Sequence, residues 1–210
     1  MNMHSSEMLE NRSRLINYET QLFESVKVDQ KPFRNLNLGC GGRLLEGFTN
    51  VDKYVVQVGV ENYDMYKLPY EDNSKDLILS IHSLEHLPIR HSKLALKEWH
   101  RVLDYNGKLV LEIPDLGLVM AKLLQDDEQE LSENLYDWYM YTLFGYQINV
   151  GIWDNKLHHP IDLGQFHTCG FTKRRLVNYL RSIGFDIVQM YSYDGWDTPS
   201  IFVEAVKLAF

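Results

Sequence analysis

The chain has only two cysteines, Cys40 and Cys169, in 210 residues. That number excludes a disulfide framework, and their isolation excludes a paired Cys-x-x-Cys zinc motif. A reduced, cytoplasmic setting is the expectation that follows. Basic residues are also scarce. Lys and Arg number 21 against 29 Asp and Glu, for a net charge of -8. Such a balance disfavours a broad DNA or RNA footprint, because phosphate binding relies on clustered Lys and Arg. The one tight cluster, Lys173-Arg174-Arg175, reads as the solvated start of a helix. Long apolar runs are missing as well. No stretch is long enough to span a bilayer, and the first thirty residues contain no apolar signal-peptide core. Neither a membrane nor a nucleic-acid partner is expected. Hydrophobic residues make up 45% of the chain, enough for the core of one domain with an appended or inserted segment.

Residues 36–42 read Leu-Asn-Leu-Gly-Cys-Gly-Gly, and Asn50-Val51-Asp52 follows shortly after. An apolar strand runs into a glycine turn, and a carboxylate stands at the tip of the next strand. Glycine lets the backbone approach a ligand closely, and the carboxylate can accept hydrogen bonds from ribose hydroxyls. The pattern suits an adenosine-containing cofactor. Further motifs follow in order: Asp64-Met65-Tyr66-Lys67-Leu68-Pro69, then Asp76 to Leu87 with Leu84-Glu85-His86 inside it, then Glu98-Trp99-His100-Arg101-Val102-Leu103, and finally Gly107 to Pro114.

In this order and spacing the set resembles the class I S-adenosylmethionine (SAM)-dependent methyltransferases. It is similar above all to the methyltransferase type 11 group, in a branch whose fourth strand ends in a Leu-Glu-His triplet. The resemblance covers residues 35–116 and, more loosely, 167–207. It implies an α/β, Rossmann-like sheet, mostly parallel with a C-terminal antiparallel hairpin, and S-adenosylmethionine as cofactor. It also implies roles at matching positions. Gly39, Cys40 and Gly41 would present backbone to the amino-acid part of SAM. Asp52 would take the ribose hydroxyls, Asp64 the adenine amino group, and Met65 the adenine ring. Ile81 and His82 would meet the methionine end. The implied activity is methyl transfer to a small-molecule acceptor, with sugars or glycan intermediates suggested by family association alone.

The hydropathy pattern supports the same architecture. Met8-Leu9, Leu15-Ile16 and Leu22-Phe23 recur every seven residues, so residues 1–34 read as a helical extension with one apolar stripe. The extension would dock on its own domain, cover the cofactor or join two copies, leaving a monomer or a homodimer. Residues 35–210 then form the SAM-binding domain. Strands are expected at Leu36–Leu38, Phe48–Val51, Asp76–Ile81 and Lys108–Ile113, with Asn106-Gly107 as a turn. A helix is expected over Lys93–Leu103, with Leu94, Leu96, Trp99, Val102 and Leu103 on its apolar series. Another, opened by Thr172 and closed by Gly184, would bury Leu176, Tyr179, Leu180 and Ile183. Runs 186–193 and 200–207 are separated by too few residues for a helical crossover and should pair antiparallel. Between Gly41 and Asp52 there is room for one or two helical turns at most, which is short for a parallel crossover.

Residues 117–166 stand apart as a helical, aromatic insertion. It begins with a helix carrying Val119, Met120, Leu123 and Leu124 inward. Tyr139, Tyr146, Trp153, His158 and His159 are its candidate substrate contacts, because Tyr and Trp offer wide apolar faces with one polar handle. His82, Glu85 and His86 would share one face of a helix. Their order differs from that of zinc proteases, where Glu adjoins the first His, so they are read as pocket and loop residues and no metal is expected. His167 is the first candidate for a catalytic base or acceptor contact, and His82 the second. Two rival classes remain. A NAD-binding oxidoreductase fits less well, since Gly39-x-Gly41-x-x-Leu44 lacks the third glycine and Asp52 comes too early. A non-catalytic partner protein that binds SAM, or has lost it, is the other.

Overall fold

The computed structural model describes residues 33–126, 142–145, 166–194 and 199–209. The apolar stripe of residues 8–23, most of the aromatic insertion, and Tyr139, Tyr146, Trp153, His158 and His159 lie outside the described residues.

Among the described residues, seven strands form one sheet: β1 Asn35–Leu38, β2 Phe48–Val51, β3 Val60–Glu61, β4 Lys75–Ile81, β5 Leu103–Pro114, β6 Phe185–Asp194 and β7 Pro199–Lys207. Their spatial order is β3-β2-β1-β4-β5-β7-β6. The first five pair parallel, and β7 runs antiparallel to both β5 and β6. The C-terminal hairpin expected from the short 194–198 connection is therefore present. Strand β5 begins earlier than expected, at Leu103, directly after the helix. Asn106 adopts φ 63° beside Gly107, so the anticipated turn exists as a protrusion inside the strand. The register jumps there, from Lys75 opposite Leu103 to Leu77 opposite Lys108.

Helices α1 (Ile89–Val102) and α3 (Lys173–Ser182) cover one face of the sheet. Ala95, Leu96, Trp99 and Val102 recur at helical spacing and are fully buried, as are Leu176 and Leu180 of α3. Leu94 instead faces outward and is 44% exposed. Thr172 precedes α3 without making a side-chain cap, and Gly184 ends the segment with φ 104°. The described parts of the insertion are α2, Leu116–Asp126, together with residues 142–145 and 166. Asp115 caps it by accepting from the Gly117 and Leu118 amides. Of the four residues expected inward, Val119 is buried and Leu123 half-buried, whereas Met120 and Leu124 are exposed.

The crossover from β1 to β2 contains no helix at all. Two buried asparagines take over the work of satisfying its backbone. Asn37 and Asn50 are register partners on adjacent strands, and Asn37 Nδ2 donates to Asn50 Oδ1 at 2.8 Å. Asn37 also donates to the Arg43 carbonyl, while Asn50 accepts from the Leu45 amide and donates back to its carbonyl. Part-buried loop groups that a helix would have paired internally thus find side-chain partners.

Candidate active site

The glycine turn follows β1 directly. The Gly39 and Cys40 amides both donate to the Val51 carbonyl, at 2.8 and 3.1 Å, which draws the turn over the end of β2. Gly39 has φ 68°, and a Cβ placed on it would stand 2.2 Å from the Ser83 Cβ. Only glycine can take that conformation with Ser83 so near. Gly41, at φ 51°, and Gly42 differ, because a Cβ on either would meet nothing within 4 Å. The turn is thus packed tightly against Ser83 behind and open in front. Ser83 is itself fixed by donation to the Leu38 carbonyl and by a 2.6 Å contact with Ser80 Oγ. Nothing in the sequence singled Ser83 out.

Asp52 lies at the tip of β2, beside the turn. Its Oδ2 accepts from the Gly41 amide at 3.0 Å, and its Oδ1 from Tyr54 and Val55. Three of about four acceptor positions on the carboxylate are used, which leaves room for a ligand hydroxyl. Cys40 is buried, and its thiol is pushed up to about 11, by burial first and by the Asp52 charge second. It stays a neutral small side chain rather than a nucleophile. Asp64 forms a 2.8 Å ion pair with Lys53. The Met65 carbonyl accepts from Trp99 Nε1 at 2.9 Å, and its sulfur lies over Gly39. Trp99, fully buried on α1, thereby ties the Asp64-Met65 loop to the core.

A second cluster occupies the ends of β4 and β5. Ile81 ends β4 opposite Glu112 of β5. His82 follows with φ 47°, a left-handed conformation in which histidine is enriched among non-glycine residues. Its Nε2 contacts Glu112 Oε1 at 3.0 Å and its Nδ1 contacts Glu85 Oε1 at 3.2 Å. Burial alone would lower the His82 pKa. The hydrogen bonds and charges of Glu112 and Glu85 outweigh it and raise the value to about 10. At neutral pH His82 is therefore an imidazolium, suited to orienting or electrostatic work rather than to accepting a proton. Tyr193 also donates to Glu112 Oε1. Burial pushes the Glu85 carboxyl up, yet His82 and the neighbouring His86 and His167 hold it below the ordinary value. Glu112 carried a legible signal, an acidic residue within the apolar run Leu109–Ile113, but sequence reasoning gave it no role.

His167 reaches the same cluster from the other end of the chain. The amides of Thr168 and Cys169 donate to the Glu85 carbonyl, and Thr168 Oγ1 donates to that of His86. His167 Nδ1 donates to the Thr142 carbonyl at 2.6 Å, and its Nε2 is 4.0 Å from Glu85 Oε1. Burial lowers its pKa, so the ring is neutral near pH 7. It also lines a cavity of about 180 Å³ with Leu116, Thr142 and Cys169. A larger, open cleft of about 490 Å³ between α1 and α3 shares no residue with the glycine turn.

Comparison with known proteins bears on this arrangement. A family model described as a methyltransferase domain matches residues 36–111, the span from the glycine turn to β5. A SAM-dependent methyltransferase from Methanosarcina mazei superposes with a TM-score of 0.58, over 84% of this chain and 92% of its own, at 17% identity. The fold is that of a class I methyltransferase. The magnesium protoporphyrin IX methyltransferase of Synechocystis, solved with bound S-adenosylhomocysteine, shares this methyltransferase fold with a TM-score of 0.56 at 13% identity. That match covers 99% of this chain and 88% of the neighbour. In sequence, an uncharacterised Haemophilus influenzae protein is 34% identical over 79 residues, or 38% of this chain. The chain spans about three-tenths of that curated relative's length, 29%.

Proposed function

We propose that this chain transfers the methyl group of S-adenosylmethionine to a small-molecule acceptor. The observation that carries the reading is the glycine turn, closed behind by Ser83, open in front at Gly41 and Gly42, and tied to the Asp52 carboxylate. Backbone at Gly39 to Gly41 would bind the amino-acid part of the cofactor, and Asp52 would accept from its ribose. Asp64 and Met65 would hold the adenine, with Trp99 keeping their loop in place. Bound SAM supplies an electrophilic methyl group that leaves its sulfonium by in-line attack, so positioning is the protein's main contribution.

The ends of β4 and β5 would form the acceptor side. His82, charged and doubly held, fixes Glu85 and Glu112 and places positive charge at the ends of these strands. His167, neutral and beside Glu85, is the group placed to meet the acceptor. Sugars and glycan intermediates, suggested by the family resemblance alone, are the first acceptors to screen. Incubation with methyl-labelled SAM and an acceptor panel tests the reading. Labelled product formed by the wild type and lost in Asp52→Ala supports it. Tight SAM binding with no transfer to any acceptor would favour a non-catalytic partner protein.

A further inference from the structure

Glu85, His86 and His167 come together although His167 stands far along the chain from the other two. We infer that these three residues form a binding site for one divalent transition-metal ion. One ligand atom from each lies within 4.8 Å of the other two. Glu85 is 1% exposed, and its Oε2 has no hydrogen-bond partner among the described residues. Its other oxygen is engaged by His82, so Oε2 is the atom left for a cation. A buried carboxylate oxygen needs a donor or an ion.

The two imidazoles are prepared in the manner of metal ligands. His86 Nδ1 donates to the Phe166 carbonyl at 3.1 Å, and His167 Nδ1 to the Thr142 carbonyl at 2.6 Å. A carbonyl only accepts, so each Nδ1 carries a proton, and Nε2 is the atom that each ring would offer to an ion. Metal-ligating histidines are commonly oriented by such a bond from the second nitrogen. The backbone bonds from Thr168 and Cys169 to Glu85 lock the two segments together and fix the ligand spacing.

Two histidines and a glutamate make a three-ligand set that catalytic zinc sites use, with a fourth position open. Imidazole ligands favour Zn2+ over Mg2+ or Ca2+. Donors about 2.1 Å from an ion stand roughly 3–3.5 Å apart, so binding draws the three side chains slightly inward. His167 also lines the cavity of about 180 Å³, which places the ion at its wall. There an acceptor oxygen can take the fourth position and be polarised, so that His167 meets the acceptor through the ion. That role rests on the methyltransferase reading; the ion site does not.

The test is a Zn2+ titration of the metal-stripped full chain against a chromophoric chelator, with the visible spectrum of the Co2+ form as a second readout. Wild type should bind one equivalent with a Kd below micromolar. His86→Ala and His167→Ala should each weaken it at least 100-fold and abolish the Co2+ spectrum, while circular dichroism stays unchanged. Glu85→Gln should act likewise, and should it fail to fold, the two histidine variants carry the comparison. The Cys169→Ser variant and the His158→Ala/His159→Ala double variant should bind as the wild type does. No stoichiometric binding by the wild type, or unaltered binding in both single histidine variants, overturns the proposal. SAM is absent from these measurements, so their failure leaves the cofactor reading untouched.

Discussion

His82 Nε2 lies 3.0 Å from Glu112 Oε1, at the point where β4 and β5 end side by side. The same ring reaches Glu85 through Nδ1, and Ser200 Oγ and Tyr193 approach from the antiparallel hairpin. One charged imidazole thus joins three segments at the sheet edge where the proposed acceptor would bind.

That arrangement fixes a pH dependence. The folded pKa of His82 is raised to about 10, above an unfolded value near 6.5. Its contribution to stability is therefore complete below about pH 6.5 and declines as pH rises towards 10. Urea unfolding of wild type and His82→Gln at pH 6, 8 and 10 checks this. The stability gap should be widest at pH 6 and smallest at pH 10. A constant gap would place the charge elsewhere. Glu85 acts in the opposite sense. Its folded pKa is lowered, so its contribution is present above the ordinary carboxylate value and fades in acid.

Gly39→Ala should be far more damaging than Gly41→Ala. Both positions have positive φ, but only at Gly39 does the new methyl meet Ser83. The left-handed conformation costs an alanine about 1–2 kcal/mol, and overpacking adds about 1–3 kcal/mol. Thermal unfolding should show a clear drop in Tm for Gly39→Ala and a small one for Gly41→Ala. Equal drops would refute the tight contact.

Trp99→Phe should destabilise the fold by about 1–3 kcal/mol, because the half-buried Met65 carbonyl loses its donor. The same change should weaken S-adenosylhomocysteine binding, since the Asp64-Met65 loop is no longer pinned. Denaturant unfolding and calorimetric titration of one variant preparation measure both. Loss of stability with unchanged affinity would detach this loop from the cofactor.

Asn50→Ala should cost about 2–4 kcal/mol, through the unpaired Asn37 amide and Leu45 amide it leaves behind. A loss of stability in urea unfolding under about 0.5 kcal/mol would mean that the loop re-pairs its backbone without Asn50.

That asparagine pair marks where sequence reading stopped. The alternation of strand and helix signals, the hairpin and the glycine turn were legible, because each rests on local periodicity or on a glycine-specific conformation. The brevity of the Gly41 to Asp52 segment was legible too, but its solution was not. Asn37 and Asn50 look like ordinary strand residues until the parallel register places them face to face. The same holds for the acceptor side. His82 could be placed at a strand end, and His167 before a helix. Their shared link to Glu85, and the charge on His82, depend on Glu112 and on backbone bonds between segments far apart in sequence. The outward faces of Leu94, Met120 and Leu124 were missed for a related reason: apolar spacing does not say which neighbours arrive to cover it.

The most direct test is calorimetric titration of the wild type and Asp52→Ala with S-adenosylhomocysteine. The wild type should bind with a Kd in the micromolar range, roughly -8 kcal/mol. Asp52→Ala should weaken binding by about 1.5–3 kcal/mol, the value of a hydrogen bond to a charged group. No binding by the wild type, or undiminished binding by the variant, would contradict a cofactor site built from the glycine turn and Asp52.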